Sequence, residues 1–145
     1  MILYLDTSAL VKRFVLERGS IDVNNLVSSS EMVGSSLITQ VEMAAALGKA
    51  ARMHWIDQLA AETAYRDFFN QWHYITRLMI SPVLIERAAQ LSLQTGLRGY
   101  DATHLASALF WQESLDTEIL MATYDKELWA VAKKSGLKIW PNQLD

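Results

Sequence analysis

The sequence predicts an α/β protein built on a parallel sheet of four to five strands. Short apolar runs alternate with segments of helical periodicity along the 145 residues, and such alternation implies right-handed crossovers between parallel strands. Hydrophobic residues make up 51% of the chain and charged residues 20%, which suits a packed core and argues against disorder. We expect one domain spanning 1–145, because no repeat, low-complexity segment or boundary interrupts the pattern.

Local signals place the elements of the first half. The apolar run Ile2–Leu5 has the length of a buried strand, and Asp6 then supplies a helix-capping side chain. Val41, Ala44 and Gly48 follow helical spacing in an alanine-rich stretch. The predicted elements are strands at 2–5, 32–36 and 74–80, and helices at 9–15, 23–26, 41–53 and 57–72.

Capping residues mark the elements of the second half. Ser81 and Pro82 form a helix start, and Gly96 is expected to end that helix. Gly136 is expected just after the last helix. The predicted elements are helices at 82–95, 101–112 and 126–134, and strands at 118–123 and 137–140.

Composition and charge exclude several classes of protein. The chain has no cysteine, which excludes disulfides, thiolate catalysis and cysteine-rich zinc sites. Its formal net charge of −3 argues against a general nucleic-acid coat and suits a protein that gathers carboxylates to hold cations. No targeting segment is visible and no apolar run approaches the ~20 residues of a membrane span. We therefore expect a cytoplasmic protein without a membrane segment.

Four acids lie at strand-to-helix junctions. Asp6 follows the first strand, Glu42 lies in the helical turn after the second, Asp101 opens a helix after a glycine-containing loop, and Asp125 follows the fourth strand. In open α/β sheets, functional residues gather at the carboxyl ends of the strands. The sequence therefore predicts that these four side chains meet at one edge of the sheet.

Each acid taken singly has a simpler interpretation. Asp101 and Asp125 could only cap helices, and Glu42 has the position of a solvated first-turn residue. Asp6 differs, because a charge beside a buried strand needs a compensating partner. Taken together, hard oxygen ligands without cysteine favour Mg²⁺ or Mn²⁺. Such a site is suited to phosphodiester hydrolysis by metal-activated water.

Four segments that contain these acids resemble the acidic motifs of the PIN-domain ribonucleases, and in particular the VapC-type toxins of toxin–antitoxin pairs. The third is the most specific, and the resemblance covers nearly the whole chain in the expected order. The segments are Leu3–Lys12, Thr39–Leu47, Leu97–Ala108 and Ala122–Leu128.

The resemblance implies a three-layer α/β/α fold and Mg²⁺- or Mn²⁺-dependent endoribonuclease activity on RNA. It also implies homodimerisation and neutralisation by a small antitoxin protein. Carried over by position, it assigns one metal and catalytic site with a supporting hydroxyl. The metal-site residues it assigns are Asp6, Glu42, Asp101 and Asp125, and the hydroxyl belongs to Thr123.

Several other polar residues have two interpretations each. Lys12, Arg13 and Arg98 could contact RNA phosphates or be solvated at the surface. His104 lies one turn after Asp101, where a core or supporting role is favoured over a general base.

Two other functions are weighed against a ribonuclease. A phosphotransfer enzyme with Asp6 as nucleophile is disfavoured, because haloacid-dehalogenase-type phosphatases carry an acid two residues later, where this chain has Ser8. A non-catalytic PIN-like scaffold for RNA or protein remains the alternative. Asp116 and Glu118 compete with Asp125 for the fourth acidic position and are expected at the opposite edge of the sheet.

Overall fold

The computed structural model describes residues 1–145 and contains one sheet of five parallel strands. The strand order is β3-β2-β1-β4-β5, so the first strand is central. This arrangement confirms the predicted α/β class. The strands are β1 Ile2–Leu5, β2 Met32–Ser36, β3 Thr76–Leu78, β4 Leu120–Ala122 and β5 Lys138–Trp140.

Seven helices connect and cover these strands. None of them combines the length and apolar character that a bilayer crossing requires. The helices are α1 Thr7–Leu10, α2 Ser20–Ser28, α3 Thr39–Arg52, α4 Gln58–Trp72, α5 Pro82–Thr95, α6 Gly99–Leu115 and α7 Lys126–Lys134.

Three helices differ most from the prediction. The first helix begins at Thr7, because Asp6 accepts a hydrogen bond from the Ala9 amide, and after Leu10 it passes into a 3₁₀ turn instead of continuing to residue 15. The second helix is longer than predicted. Helix α6 begins at Gly99, which adopts helical backbone where a loop was expected, so Asp101 lies within the first turn instead of opening the helix.

The central strand β1 contributes side chains to both faces of the sheet. Tyr4 belongs to a core formed with α5, α6 and α7, whereas Leu3 and Leu5 belong to a second core formed with α1, α3 and α4. This alternation is expected of a strand buried on both sides. The two cores establish the predicted three layers and hold the carboxyl end of β1 between them.

The close contact between β2 and α6 yields a prediction of stability. A Cβ added at Gly34 would lie 2.5 Å from the Trp111 ring, which is a rigid obstacle in a packed core. Gly34→Ala should lower the free energy of unfolding by about 1–3 kcal/mol, the usual cost of overpacking. Urea denaturation measures this change. Gly99→Ala is the control, because no atom lies within 4 Å of its Cβ position, and equal midpoints for the two variants would contradict the prediction.

Candidate active site

Asp6 lies at the carboxyl end of β1, beside the end of β4. The register pairs Leu5 with Ala122, so the residues that follow, Asp6 and Thr123, are neighbours. Thr123 Oγ1 donates to Asp6 Oδ2 at 2.6 Å, and Ser8 Oγ donates to Asp6 Oδ1 at 2.7 Å. The Asp6 side chain is thus held by hydroxyls in the position predicted for a supported acid.

Burial makes the charge of Asp6 costly. The residue is only 3% exposed, and this burial raises the pKa of its carboxyl, although the charge of His104 and the hydrogen bonds from Thr123 and Ser8 oppose the rise. A buried carboxylate with no cationic side chain bonded to it is stabilised by any cation that reaches the sheet edge.

Asp125 is connected to Asp6 through Thr123. The Asp125 amide donates to Thr123 Oγ1 at 3.0 Å, the same hydroxyl that donates to Asp6. Asp125 also caps α7, since its Oδ1 accepts from the Leu128 amide at 2.8 Å. The capping role and a place at the sheet edge are therefore compatible, because the second oxygen of the carboxylate remains free of the helix.

Arg98 joins Asp125 to Asp101. Its Nε lies 3.1 Å from Asp101 Oδ2 and its Nη2 lies 3.2 Å from Asp125 Oδ2, while 75% of its own side chain is exposed. Burial, and then the charge of Asp125, raises the pKa of Asp101. Two crowded carboxylates thus share one cationic group, and of the three basic residues considered for RNA contact, Arg98 is the one found at the acids.

Glu42 is held by His104 and Thr7. His104 Nε2 lies 2.6 Å from Glu42 Oε1, and Thr7 Oγ1 donates to the same oxygen at 2.8 Å. Burial raises the pKa of Glu42, but the hydrogen bond and charge of His104 outweigh it, so that the pKa is lowered overall. Glu42 is therefore ionised at neutral pH, and its Oε2 has no partner of its own.

His104 is a buried supporting residue, as the sequence favoured. It is 1% exposed, and its Nδ1 lies 2.7 Å from the hydroxyl of Tyr4, which is 100 residues away along the chain. Tyr4, His104 and Glu42 thus form a hydrogen-bonded row from the core to the sheet edge, which we call the histidine relay.

Three residues of this arrangement were not predicted as part of the site. Tyr4, Thr7 and Ser8 lie in the first of the four motif segments, but only Asp6 was assigned a role in the site there. A hydroxyl in a fully buried strand two residues before an acid was an available signal, because a buried tyrosine hydroxyl needs a hydrogen-bond partner.

The other polar candidates lie away from the four acids or bond to other residues. Lys12 Nζ contacts Glu17 at 3.1 Å and the carbonyl of Arg18 at 2.8 Å. Arg13 donates to the side chains of Asn24 and Gln71 instead of facing the acids. Asp116 and Glu118 precede β4, at the end of the strand opposite Asp125, which agrees with their predicted exclusion.

The side-chain conformations do not form a ready metal cage. No three His, Asp or Glu side chains lie close enough to hold one ion. The chemistry of the donors nevertheless fits a hard divalent cation, because each acid offers carboxylate oxygen and an arginine cation already lies between Asp101 and Asp125. Binding of an ion by this pair requires the guanidinium to leave.

Comparison with known sequences identifies the family. The PIN domain profile matches residues 3–134. Ribonuclease VapC45 of Mycobacterium tuberculosis (strain CDC 1551 / Oshkosh) is 33% identical over 144 residues, which cover 99% of this chain and 98% of that protein. The chain therefore belongs to the PIN-domain family.

Comparison with solved structures agrees on the fold. The crystal structure of PAE2754 from Pyrobaculum aerophilum has a TM-score of 0.65 at 23% identity, covering 96% of this chain and 83% of that one. A toxin-antitoxin complex from Klebsiella pneumoniae has a TM-score of 0.59 at 20% identity, with coverages of 88% and 90%. At these identities the likeness establishes a shared architecture.

Proposed function

We propose that this protein is a Mg²⁺- or Mn²⁺-dependent endoribonuclease that acts as the toxin of a type II toxin–antitoxin pair. The observation that carries the proposal is the linked set of acids at one sheet edge, in which Thr123 contacts both Asp6 and Asp125, and Arg98 contacts both Asp125 and Asp101. A relative named a ribonuclease that matches nearly the whole chain supports it.

Asp6, Glu42, Asp101 and Asp125 would hold the ion. Such an ion, when bound, lowers the pKa of water and stabilises charge on the phosphate. The hydroxyls of Ser8 and Thr123 fix the Asp6 carboxylate, which limits the reorganisation needed to receive a cation.

Glu42 is the residue suited to move a proton. Its Oε1 accepts hydrogen bonds from Thr7 and His104, which leaves Oε2 to accept a proton from the attacking water. The lowered pKa keeps Glu42 ionised but makes it a weak base, so a bound ion would have to supply most of the activation of the water.

The proposed partners follow from the same relatives. The Klebsiella pneumoniae neighbour is a toxin-antitoxin complex, and we extend this partnership to the present chain as a small antitoxin protein. The homodimer is proposed from the family resemblance alone. The proposed substrate is RNA, and the proposed location is the cytoplasm. We also treat residues 1–145 as one domain with one site.

Cleavage assays test the proposed activity. Purified protein should cut structured RNAs when Mg²⁺ or Mn²⁺ is present and should stop when EDTA is added. RNA that is bound but not cut under any of these conditions would overturn the proposal in favour of the non-catalytic scaffold.

Removal of Arg98 should strengthen metal binding. Arg98→Gln removes a positive charge that contacts two proposed ligands, so the Kd for Mn²⁺ should fall by about three- to tenfold in the absence of RNA. Calorimetric titration measures this change. Arg87→Gln is the matched control, because Arg87 forms its ion pair with Glu113 instead. Weaker Mn²⁺ binding by Arg98→Gln would mean that Arg98 holds the carboxylates in place and does not compete for them.

A further inference from the structure

A cavity of about 370 Å³ lies beside the proposed active site. Its volume falls within the range of about 300–1,000 Å³ that is usual for small-ligand sites. The cavity lies between the start of α2, the start of α7 and the segment that follows β5. Its lining includes the side chains of Lys12, Arg18, Asp22, Tyr124 and Trp140.

The cavity is joined to the acids through Tyr124. This residue stands between Thr123 and Asp125 in the chain, and its amide donates to Ser8 Oγ at 2.8 Å. Ser8 in turn donates to Asp6. A ligand that contacts Tyr124 is therefore next to Asp125 along the chain and is linked to Asp6 by two successive hydrogen bonds.

The aromatic wall of the cavity is held in one position. Lys12 Nζ lies 4.2 Å from the centroid of the Tyr124 ring, and the Trp140 ring meets it edge to face at 5.7 Å. A Cβ on Gly19 would lie 2.4 Å from the Tyr124 hydroxyl, and Gly19 has a φ of 92°, so only glycine leaves room for this ring. Fixed aromatic rings are the surfaces on which single-stranded RNA bases stack.

The polar lining matches the edge of a base better than a phosphate. Arg18 offers donors and Asp22 offers acceptors, both are exposed, and neither takes part in a salt bridge. The charge of Lys12 is compensated by Glu17 at 3.1 Å. Lys126 also lines the cavity and takes part in no salt bridge, so it would contact the phosphate of the bound nucleotide. The Asp22 carboxylate would repel a phosphate, whereas a base presents both donors and acceptors along its edge.

We infer that this cavity binds one nucleobase of single-stranded RNA, from a nucleotide adjacent to the cleaved bond. The inference rests on the proposed endoribonuclease function and extends it to substrate selection. The rings of Tyr124 and Trp140 are nearly perpendicular, so the base stacks on one of them, and Arg18 and Asp22 supply hydrogen bonds that distinguish one base from another.

Abasic substitution tests the inference. In an RNA whose cleavage point has been mapped, each nucleotide flanking the cut is replaced in turn by an abasic one, and kcat/KM is measured with Mn²⁺. One abasic position should lower the wild-type kcat/KM by about five- to 150-fold, the usual worth of one stacked base. In Tyr124→Leu, Arg18→Gln and Asp22→Asn, the intact RNA should be cut more slowly, and the loss at that position should shrink.

Arg66→Gln and Asp67→Asn are the matched controls, since both residues are exposed on α4 and do not line the cavity. In these control variants, the abasic substitution should lower kcat/KM as much as it does in the wild type. An equal abasic loss in the cavity variants and the wild type, or no loss at any position, would overturn the inference. Absence of cleavage by the wild type would instead contradict the proposed function. Fluorescence anisotropy with the same RNAs would then still test the inference, because an abasic nucleotide that leaves the cavity empty should lower the affinity of the protein for the RNA.

Discussion

Asp101→Asn should lower the rate of RNA cleavage by about three orders of magnitude, which corresponds to roughly 4 kcal/mol of lost transition-state stabilisation. Asparagine keeps the shape of the side chain but removes the negative charge that would hold the ion. Asp101 suits this test because its carboxylate contacts Arg98 alone among the charged side chains, so little else changes. The measurement is kcat on a labelled RNA with saturating Mn²⁺.

The loss of activity should not come from unfolding. Burial, followed by the charge of Asp125, raises the pKa of Asp101, so the ionised form is disfavoured in the folded state. Its contribution to stability is present below the ordinary pKa and is lost as the pH rises through the raised one. Without metal at pH 7, Asp101→Asn should therefore unfold at the wild-type temperature or above it.

A control variant tests whether the loss of activity depends on where in the protein the carboxylate charge is removed. Asp116→Asn changes an exposed acid at the end of α6, far along the strand direction from the proposed site, and should leave cleavage unchanged. Cleavage that persists in Asp101→Asn at the rate of Asp116→Asn would remove Asp101 from the proposed metal site.

His104→Ala should weaken Mn²⁺ binding by about 10- to 100-fold, which is the usual effect of losing a group that orients a metal ligand. The variant removes the shortest hydrogen bond of Glu42 and the hydrogen bond between His104 and the buried Tyr4 hydroxyl. The free energy of unfolding should also fall by about 1–3 kcal/mol, the cost of a buried unsatisfied polar group. His104 is a positioning residue in this account, because it acts through Glu42.

Tyr4→Phe tests whether His104 acts by positioning Glu42 or only by stabilising the fold. It removes the outer hydrogen bond of the histidine relay but keeps the contact between His104 and Glu42. It should therefore alter stability with only a small change in Mn²⁺ affinity. If His104→Ala and Tyr4→Phe lose stability equally and neither changes the Kd for Mn²⁺, the relay has a structural role only.

The order of elements was predictable because its causes are local. The apolar run of β1 followed by Asp6, and the Ser81-Pro82 start of α5, depend on neighbouring residues. The alternation of strands and helices then implied the parallel sheet that the structure contains. Taken singly, Asp6 was the least ambiguous of the acids for the same reason, since a charge at the end of a buried strand can be recognised within a few residues.

The contacts that give the site its character were less predictable. Tyr4 and His104 are 100 residues apart, and Thr123 and Asp6 are 117 apart, so no local pattern reports that they meet. The start of α6 was missed because Gly99 was interpreted as part of a loop, although glycine can also enter a helix. That error hid the position of Arg98, which as the cap residue of α6 reaches both Asp101 and Asp125.

The most direct test of the proposed metal site is a crystal of the protein soaked in Mn²⁺, measured for anomalous scattering at the manganese edge. We expect a peak within about 2.0–2.6 Å of carboxylate oxygens from at least two of Asp6, Asp101 and Asp125, with the Arg98 guanidinium moved away from the last two. No peak at this edge of the sheet, at a Mn²⁺ concentration that supports RNA cleavage, would contradict it.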